Sequence, residues 1–366
     1  MHKTSEQGFH TEKACRLAGY GRNILKTVSK KELNVLYTCD EKYAPFAGVS
    51  MTSLFRNNPD IGRIRVYLVL DGVSEENQAR YKTLAEQYGR EVVLIDARNV
   101  VEKIRALRIP TYRGSYSANF RLFFTEFIPD PMEKLLYLDS DTLVTGSLKP
   151  LLELDTTGYW FAMVRDSMML RRDKIFDYEA PYNSGVLLID VPAWKRDSVT
   201  QKLLDHIRHV RARYVNPDQD LLNVVGAGHI LCLPPEYNFP PIHRAYPDKI
   251  YYREAPTGFY TPAQLEQARQ HPVILHTYRF LGEFPWHKGT LHPDAAIFDS
   301  YLRSSLWKNY EKQPGNQSIL FRAERVLYRV LPRGAFFWLL NTAQYWSFKK
   351  QEEELQRELA ADRKVP

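Results

Sequence analysis

The sequence has few cysteines and no long apolar run, and both absences limit what the protein can be. Its three cysteines, Cys15, Cys39 and Cys232, are odd in number and far apart. This spacing argues against a disulfide framework and a CxxC metal site, and it favours a reducing compartment. No run reaches the roughly 18 apolar residues of a membrane-spanning helix, and the first 30 residues lack the apolar core of a secretory signal. We therefore expect a cytoplasmic location, either free or at the inner face of the plasma membrane.

Acidic residues are outnumbered by basic ones, which gives a formal net charge of +7 and a pI near 9.1. A basic surface favours anionic partners such as nucleotides, phospholipid headgroups or nucleic acid. The basic residues outside the C-terminal tail are scattered and no nucleic-acid recognition motif is present, so we expect no nucleic-acid partner.

Three apolar segments in the first hundred residues alternate with helical segments. The strand-like segments are LNVLYTC (Leu33–Cys39), IRVYLVLDG (Ile64–Gly72) and EVVLIDA (Glu91–Ala97). Strands that are apolar on both faces and alternate with helices predict an α/β fold with a mainly parallel sheet and helices on both faces. With 366 residues, we expect a polar extension over 1–32, a catalytic domain over 33–312 and a helical tail over 313–366.

An apolar segment that is typical of a buried strand ends in two acids in LLYLDSDTLV (Leu135–Val144). Side chains at i and i+2 of an extended chain share a face, so Asp139 and Asp141 converge. Two adjacent carboxylates repel unless a cation lies between them, and Mg²⁺ or Mn²⁺ prefers such ligands together with substrate phosphates. The alternative is a surface turn with two solvated carboxylates, but a buried strand rarely ends in paired acids without a partner. The pattern favours a divalent-metal site for a diphosphate, at the carboxyl end of a strand.

Several segments, in order, resemble the retaining glycosyltransferases of family 8, which include bacterial lipooligosaccharide galactosyltransferases and glycogenin. The resemblance spans Asn34 to Tyr310 and includes NVLYTCDEKYAPFAGVSMTSLFRNNP, IRVYLVLDGVSEEN, NFRLFFTEFIP, YLDSDTLV, YNSGVLLID, NPDQDLLN, YNFPP and ILHTYRFLGEFPWH. It implies a Rossmann-like nucleotide-binding fold of the GT-A type, Mn²⁺ (with Mg²⁺ as the other option) and UDP-glucose or UDP-galactose as donor.

The resemblance also implies a role for individual residues. Asp139, Asp141 and His276 match the metal ligands of the family. Asp40 and Tyr43 match positions that contact the uridine, the first by hydrogen bonding and the second by stacking.

Four further residues match positions around the donor phosphate and the transferred sugar. Arg121 and Asn183 match residues near the phosphate and sugar, and a guanidinium suits phosphate oxygens. Asp218 and Gln219 match the pair beside the transferred sugar. Retention by double displacement needs a carboxylate nucleophile, but Gln219 is an amide, so we favour front-face attack. Gln219 would stabilise positive character at the anomeric carbon, and Asp218 would orient sugar hydroxyls while remaining the one candidate for a covalent role.

The closing loop departs from the family pattern. Gly282 lies six residues after His276, where three is usual, and Phe284 occupies the place of a phosphate-binding lysine. Because of this insertion, Arg279 could occupy the aligned position of the family's metal-binding histidine in place of His276. Either Arg279 or Lys288 could supply the missing charge, and we count Gly282 and Lys288 among the donor-binding candidates.

The tail segment Ile319–Lys350 interleaves six Lys and Arg residues with aromatic residues and one Glu. Its composition is typical of an interfacial amphipathic helix pair, broken at Pro332–Gly334, or of a helical cap packed on the domain. If the tail binds a bilayer, the acceptor would be a lipid-linked saccharide in cell-wall, capsule or lipopolysaccharide synthesis.

Other functions remain open at this level. A sugar nucleotidyltransferase would need a basic Gly-rich loop after the first strand, and TCDEKYAPFAG is acidic. A non-catalytic sugar-nucleotide-binding or scaffold protein is favoured only by Phe284, whereas the intact Asp139, Asp141 and Gln219 argue against it. Glucose and galactose are not distinguished, nor is a saccharide acceptor distinguished from self-glycosylation on a tyrosine.

Overall fold

The computed structural model describes most of the chain from residue 32 onward. The described residues are 32–107, 109, 111, 114–128, 131–166, 181–210, 216–246, 248–254 and 260–362. Nearly all of the predicted N-terminal extension lies outside them.

Strands and helices are interleaved along the described chain. The strands in it are β1 (Glu32–Asp40), β2 (Arg63–Asp71), β3 (Glu91–Asp96), β4 (Lys134–Leu138), β5 (Thr142–Val144), β6 (Phe161–Arg165), β7 (Tyr182–Asp190), β8 (Ile230–Cys232) and β9 (Ile274–His276). The helices are α1 (Ala44–Asn57), α2 (Glu75–Gln87), α3 (Arg98–Ala106), a 3₁₀ segment (Ser117–Phe123), α4 (Phe124–Phe127), α5 (Lys149–Glu153), α6 (Val191–Arg196), α7 (Val199–Val210), α8 (Pro217–Val225), a 3₁₀ turn (Pro235–Tyr237), α9 (Pro241–Ala245), α10 (Asp248–Glu254), α11 (Pro262–Gln270), α12 (Ala295–Ser304), α13 (Ile319–Val330) and α14 (Arg333–Asp362).

A seven-stranded sheet forms the centre of the fold, in the order β3-β2-β1-β4-β7-β6-β8. Strand β7 runs antiparallel to both of its neighbours, and the other described pairings in this sheet are parallel. The prediction of a mainly parallel α/β sheet is therefore confirmed. Strands β5 and β9 form a separate antiparallel pair.

Two apolar cores lie on opposite faces of this sheet, because successive side chains of a strand alternate between faces. In β1, Val35 and Tyr37 face the core that includes α1 and α2, whereas Leu36 faces the core that includes α3. Strands covered on both faces explain why these segments are apolar at nearly every position. Because β1 and β4 are adjacent and parallel, their carboxyl ends share one edge of the sheet.

Two of the three cysteines, Cys39 and Cys232, lie among the described residues. Cys39 is a buried free thiol at the end of β1, and burial raises its pKa to about 12. Cys232 is partly buried at the end of β8.

The C-terminal tail forms the predicted pair of helices, interrupted between Val330 and Arg333. Phe336 and Phe337 are buried against the domain, so part of the tail is a packed cap. The outer side of the tail exposes large apolar side chains: Ile319, Leu320, Val326, Leu327 and Val330 on α13, and Trp338, Leu339 and Trp346 on α14. None of the described helices combines the length and apolar character needed to cross a membrane.

Candidate active site

Three potential metal ligands meet beyond the carboxyl end of β4. Asp139, Asp141 and His276 each offer a ligand atom, and these atoms lie within 4.8 Å of one another. The Nε2 atom of His276 is 3.3 Å from Oδ1 of Asp141 and 3.7 Å from Oδ2 of Asp139. The β5–β9 pair places the histidine there, since Thr142 pairs with His276. Thr277 then donates both its backbone N–H and its hydroxyl to the carbonyl of Asp141.

A chain of hydrogen bonds fixes which ring nitrogen of His276 faces the two acids. The backbone N–H of Gly185 donates to Oδ1 of Asn183 (3.0 Å), which also accepts from Nδ2 of Asn238 (2.8 Å). The Oδ1 of Asn238 is then left to accept from Nδ1 of His276, at 2.9 Å. With its proton on Nδ1, the imidazole presents the lone pair of Nε2 to Asp139 and Asp141, as metal coordination requires.

Gly185 is packed too closely against this cluster to carry a side chain. A Cβ at this position would lie 2.1 Å from Cε1 of His276 and 2.9 Å from Oδ2 of Asp139. Burial raises the pKa of Asp139, and neighbouring Asp141 adds to the effect. For His276, burial opposes protonation, but the negative charge of Asp141 and Asp139 outweighs it and raises the pKa. Two crowded carboxylates and one imidazole fit a divalent cation such as Mn²⁺.

Arg121 joins the metal cluster to α8. Its Nη2 atom is 3.1 Å from Oδ1 of Asp139 and 3.3 Å from Oδ2 of Asp218. The guanidinium lies over the ring of Tyr137, 3.9 Å from its centroid, and Tyr137 donates its hydroxyl to Asp139 at 2.6 Å. Burial disfavours the charged guanidinium, but Tyr137 and the two acids outweigh it and raise the pKa of Arg121. This arginine is a fixed positive charge inside the site.

The first turn of α8 supplies Asp218 and Gln219, both buried. Ser184 donates its hydroxyl to Asp218 (3.0 Å) and its backbone N–H to Oε1 of Gln219 (3.3 Å). The Nε2 of Gln219 donates to Oδ2 of Asp166 at 2.9 Å. The amide of Gln219 is therefore held between a backbone donor and a buried carboxylate, which fixes its orientation.

Asp40 and Tyr43 lie at the end of β1 and the start of α1. The carboxylate of Asp40 accepts from the backbone N–H of Tyr43 (3.1 Å) and from the hydroxyl of Ser115 (3.3 Å). The ring of Tyr43 packs edge-on against Phe284 and Trp286, with centroid distances of 6.4 and 6.2 Å. These contacts connect the predicted uridine residues to the loop that follows β9.

In that loop, Phe284 is part of an aromatic stack. Its ring lies parallel to Trp286 at 4.4 Å, and Trp286 stacks on Phe46 at 3.8 Å. The guanidinium of Arg279 lies over the Phe284 ring, 5.2 Å from its centroid. Lys288 is exposed, and its backbone N–H donates to the carbonyl of Gln313. Of the two cations considered for the missing lysine, Arg279 is the one in contact with Phe284.

The structure brings most of the predicted site residues into one network. Direct contacts or single hydrogen-bonded links connect Asp139, Asp141, His276, Arg121, Asn183, Asp218 and Gln219. The other predicted residues lie outside this network. Asp40 and Tyr43 lie at the end of β1 and the start of α1, and Gly282 and Lys288 lie on the loop after β9.

Three neighbours of the cluster were not predicted as site residues: Gly185, Asn238 and Asp166. The first two lie inside the segments YNSGVLLID and YNFPP, where only Asn183 was selected. Asp166 directly follows the apolar strand β6, but it lacks the second acid two residues on that identified Asp139.

Comparison with known proteins identifies the family of the chain. The family model described as Glycosyl transferase family 8 matches residues 34–289. The chain belongs to glycosyltransferase family 8. It is a hexosyltransferase with a GT-A-like fold, as the sequence indicated.

Relatives within the family act on lipopolysaccharide. A lipopolysaccharide 1,2-glucosyltransferase of Escherichia coli strain K12 is 28% identical over 296 residues, covering 79% of this chain and 83% of the relative. A lipopolysaccharide 1,3-galactosyltransferase of Salmonella typhimurium is 24% identical, covering 76% of this chain and 80% of the relative. The crystal structure of the galactosyltransferase LgtC with donor and acceptor sugar analogues is 26% identical, with a TM-score of 0.60 over 75% of this chain and 96% of LgtC.

Proposed function

We propose that this family 8 enzyme transfers glucose or galactose from a UDP-sugar to a saccharide acceptor, with retention, using Mn²⁺ or Mg²⁺. The observation that carries the proposal is the convergence of Asp139, Asp141 and Nε2 of His276 at the carboxyl edge of the sheet. Ligands of open α/β sheets bind at such edges. The names of the relatives that transfer glucose or galactose support a hexose donor.

These three residues would hold the cation, which would neutralise charge that develops on the departing diphosphate. Arg121 would assist from inside the site, because its charge is fixed between Asp139 and Asp218. A buried positive charge that is already oriented stabilises developing negative charge without reorganisation.

Gln219 and Asp218 would act on the transferred sugar. The amide of Gln219 is a poor nucleophile, and its Nε2 is committed to Asp166, so its carbonyl would stabilise positive character at the anomeric carbon. Asp218 is committed to Ser184 and Arg121, which suits orientation of sugar hydroxyls better than nucleophilic attack. We therefore favour front-face attack, in which the acceptor hydroxyl forms its bond on the side from which UDP departs and gives its proton to a leaving-group oxygen. Detection of a glycosylated Asp218 by mass spectrometry would contradict this mechanism.

The uridine would bind between Asp40, Tyr43 and the aromatic loop. Arg279, which lies over Phe284, would supply the positive charge that the family places on a lysine, with exposed Lys288 as the other contributor. A loop rich in aromatic rings would exclude water and so limit hydrolysis of the donor.

The acceptor would be a lipid-linked saccharide reached from the membrane surface. The exposed apolar side of α13 and α14 and the six basic residues of this segment suit an anionic bilayer, since such helices combine apolar burial with attraction to lipid charge. A surface location would bring the enzyme close to an acceptor in lipopolysaccharide or other cell-surface polysaccharide synthesis.

The decisive experiment is donor hydrolysis without acceptor. Purified protein is incubated with a panel of nucleotide sugars in Mn²⁺ or in EDTA, and free nucleotide diphosphate is measured. We expect UDP release from one UDP-hexose, lost in EDTA and in Asp141→Ala. If no donor is hydrolysed and calorimetry in Mn²⁺ detects no UDP binding, the proposal is wrong and a non-catalytic role follows.

A further inference from the structure

The loop after β9 contains a tight turn with an unfavourable backbone conformation. Phe280 and Glu283 exchange two backbone hydrogen bonds, of 2.8 and 3.0 Å. Between them, Leu281 and Gly282 both have positive φ, at 52° and 74°. Leu281 adopts a conformation that a branched side chain rarely takes, and such residues persist only where the surroundings hold them in place.

Helix α13 provides that support from one face. The ring of Phe321 lies against Gly282, where an added Cβ would approach within 2.3 Å of it. Seven residues further on, Tyr328 packs edge-on against Phe280 with a centroid distance of 5.4 Å. Positions i and i+7 lie on the same side of a helix, so one side of α13 contacts both Phe280 and Gly282 of the turn.

An ion pair between these two aromatic contacts ties the helix to the turn. Arg325 Nη1 lies 3.3 Å from Oε1 of Glu283, with side-chain exposures of only 11% and 5%. Glu283 also accepts from the backbone N–H of Leu291, and Arg325 donates to the carbonyl of Asn316. A buried carboxylate paired in this way depends on its partner for charge compensation.

The supported turn stands between the two halves of the proposed donor site. On its N-terminal side the chain leaves β9 at His276, next to Asp139 and Asp141. On its C-terminal side, Phe284 packs edge-on against Tyr43. A displacement of the turn is therefore transmitted to the metal side through β9 and to the uridine side through Phe284.

We infer that Phe321 and Arg325 of α13 are positioning residues for UDP-sugar binding, so that the C-terminal tail is a structural part of the donor site. The inference rests on the proposed function, because it assigns the loop after β9 to the donor. Helix α13 thus has two faces with different tasks. The inner face holds the closing loop, and the outer face presents Ile319, Leu320 and Val330 to the surroundings.

The test compares UDP affinity of full-length variants by calorimetry in Mn²⁺, without lipid, together with their donor KM, kcat and melting midpoints. The test variants are Phe321→Ala and Arg325→Ala. The control is Arg329→Ala, which removes the same charge one turn further along, from an exposed position. We expect both test variants to weaken UDP binding and raise donor KM on the order of tenfold or more, since displacements near 1 Å have such effects. Arg329→Ala should leave these values unchanged.

Two additional variants separate positioning from simple loss of folding. Glu283→Gln combined with Arg325→Gln removes the buried charge along with its partner and should fold, yet still bind UDP weakly. Arg325→Lys should partly restore affinity, because it retains the ion pair. Unchanged UDP affinity in Phe321→Ala and Arg325→Ala, with normal binding by wild type, would overturn the inference alone. Absence of UDP binding by the wild type and Arg329→Ala would reject the proposed function and this inference with it.

Discussion

At the scale of single residues, the site is determined as much by a missing side chain as by the groups that carry chemistry. Gly185 allows β7 to pass close to His276 and Asp139, and its backbone N–H begins the hydrogen-bond chain that orients the histidine. The glycine is thus needed for space at the cluster and for the direction of the Nε2 lone pair.

The substitution Gly185→Ala should lower Mn²⁺ affinity and Mn²⁺-dependent donor hydrolysis by about 10- to 100-fold, the range typical when the groups that orient metal ligands are disturbed. The added methyl group would displace either His276 or Asp139. Binding of Mn²⁺ can be followed by electron paramagnetic resonance. Gly62→Ala is the matched control, because a Cβ there meets nothing within 4 Å. Equal Mn²⁺ affinity in the two variants would show that the contact at Gly185 is unimportant.

At the scale of secondary-structure elements, α13 and α14 are unusual in leaving large apolar side chains in water. Ile319 is 86% exposed, Leu320 74% and Val330 67%. Among the described residues outside the tail, Val93 is the most exposed large apolar side chain, at only 38%. The tail thus combines a packed inner side, as a helical cap would have, with an uncovered outer side, for which binding to a membrane surface stays a prediction.

Leu320→Asp combined with Val330→Asp should reduce flotation of the full chain with phosphatidylglycerol vesicles by at least about tenfold. Each apolar side chain buried in the bilayer contributes about 1.5–3 kcal/mol, and 1.4 kcal/mol corresponds to tenfold in partition. Val93→Asp removes an exposed apolar side chain from the sheet edge and should float like wild type. No flotation of wild-type protein would reject the membrane proposal, and an equal loss with Val93→Asp would reject the assignment to the tail.

At the scale of the whole molecule, binding of UDP and Mn²⁺ should stabilise the fold as a unit. The residues proposed to bind them come from the ends of β4 and β9 and from the loops at one edge of the sheet. Ligand at a hundredfold excess over its Kd adds about 2.7 kcal/mol to the free energy of unfolding. The melting midpoint should rise most with both ligands together. Asp139→Asn should abolish the rise, whereas Asp60→Asn, at an exposed surface pair, should retain it. A rise that persists in EDTA would contradict the shared site.

Much of this architecture was predictable because it depends on local patterns. Apolar strands such as β1 and β2 can be recognised from fewer than about ten consecutive residues, and so can the paired acids after β4. The role of His276 was harder to predict, since the six-residue spacing to Gly282 also allowed Arg279. Pairing of Thr142 with His276 brings the imidazole next to the two acids, and no local pattern specifies contacts between segments so far apart in sequence. Asn238 and Gly185 were missed for the same reason, because their importance lies in what they face across the fold.

The β5–β9 pair has a consequence for how the chain can vary in length. Only three residue pairs, from Thr142–His276 to Val144–Ile274, carry the register of this ladder. A shift by one residue would turn the imidazole to the opposite side. Insertions or deletions between the two strands are therefore tolerable only in surface loops, where they leave these pairs and the site residues on β7 and α8 in place. A single-residue insertion inside β9 would be far more damaging than a long one in an exposed loop.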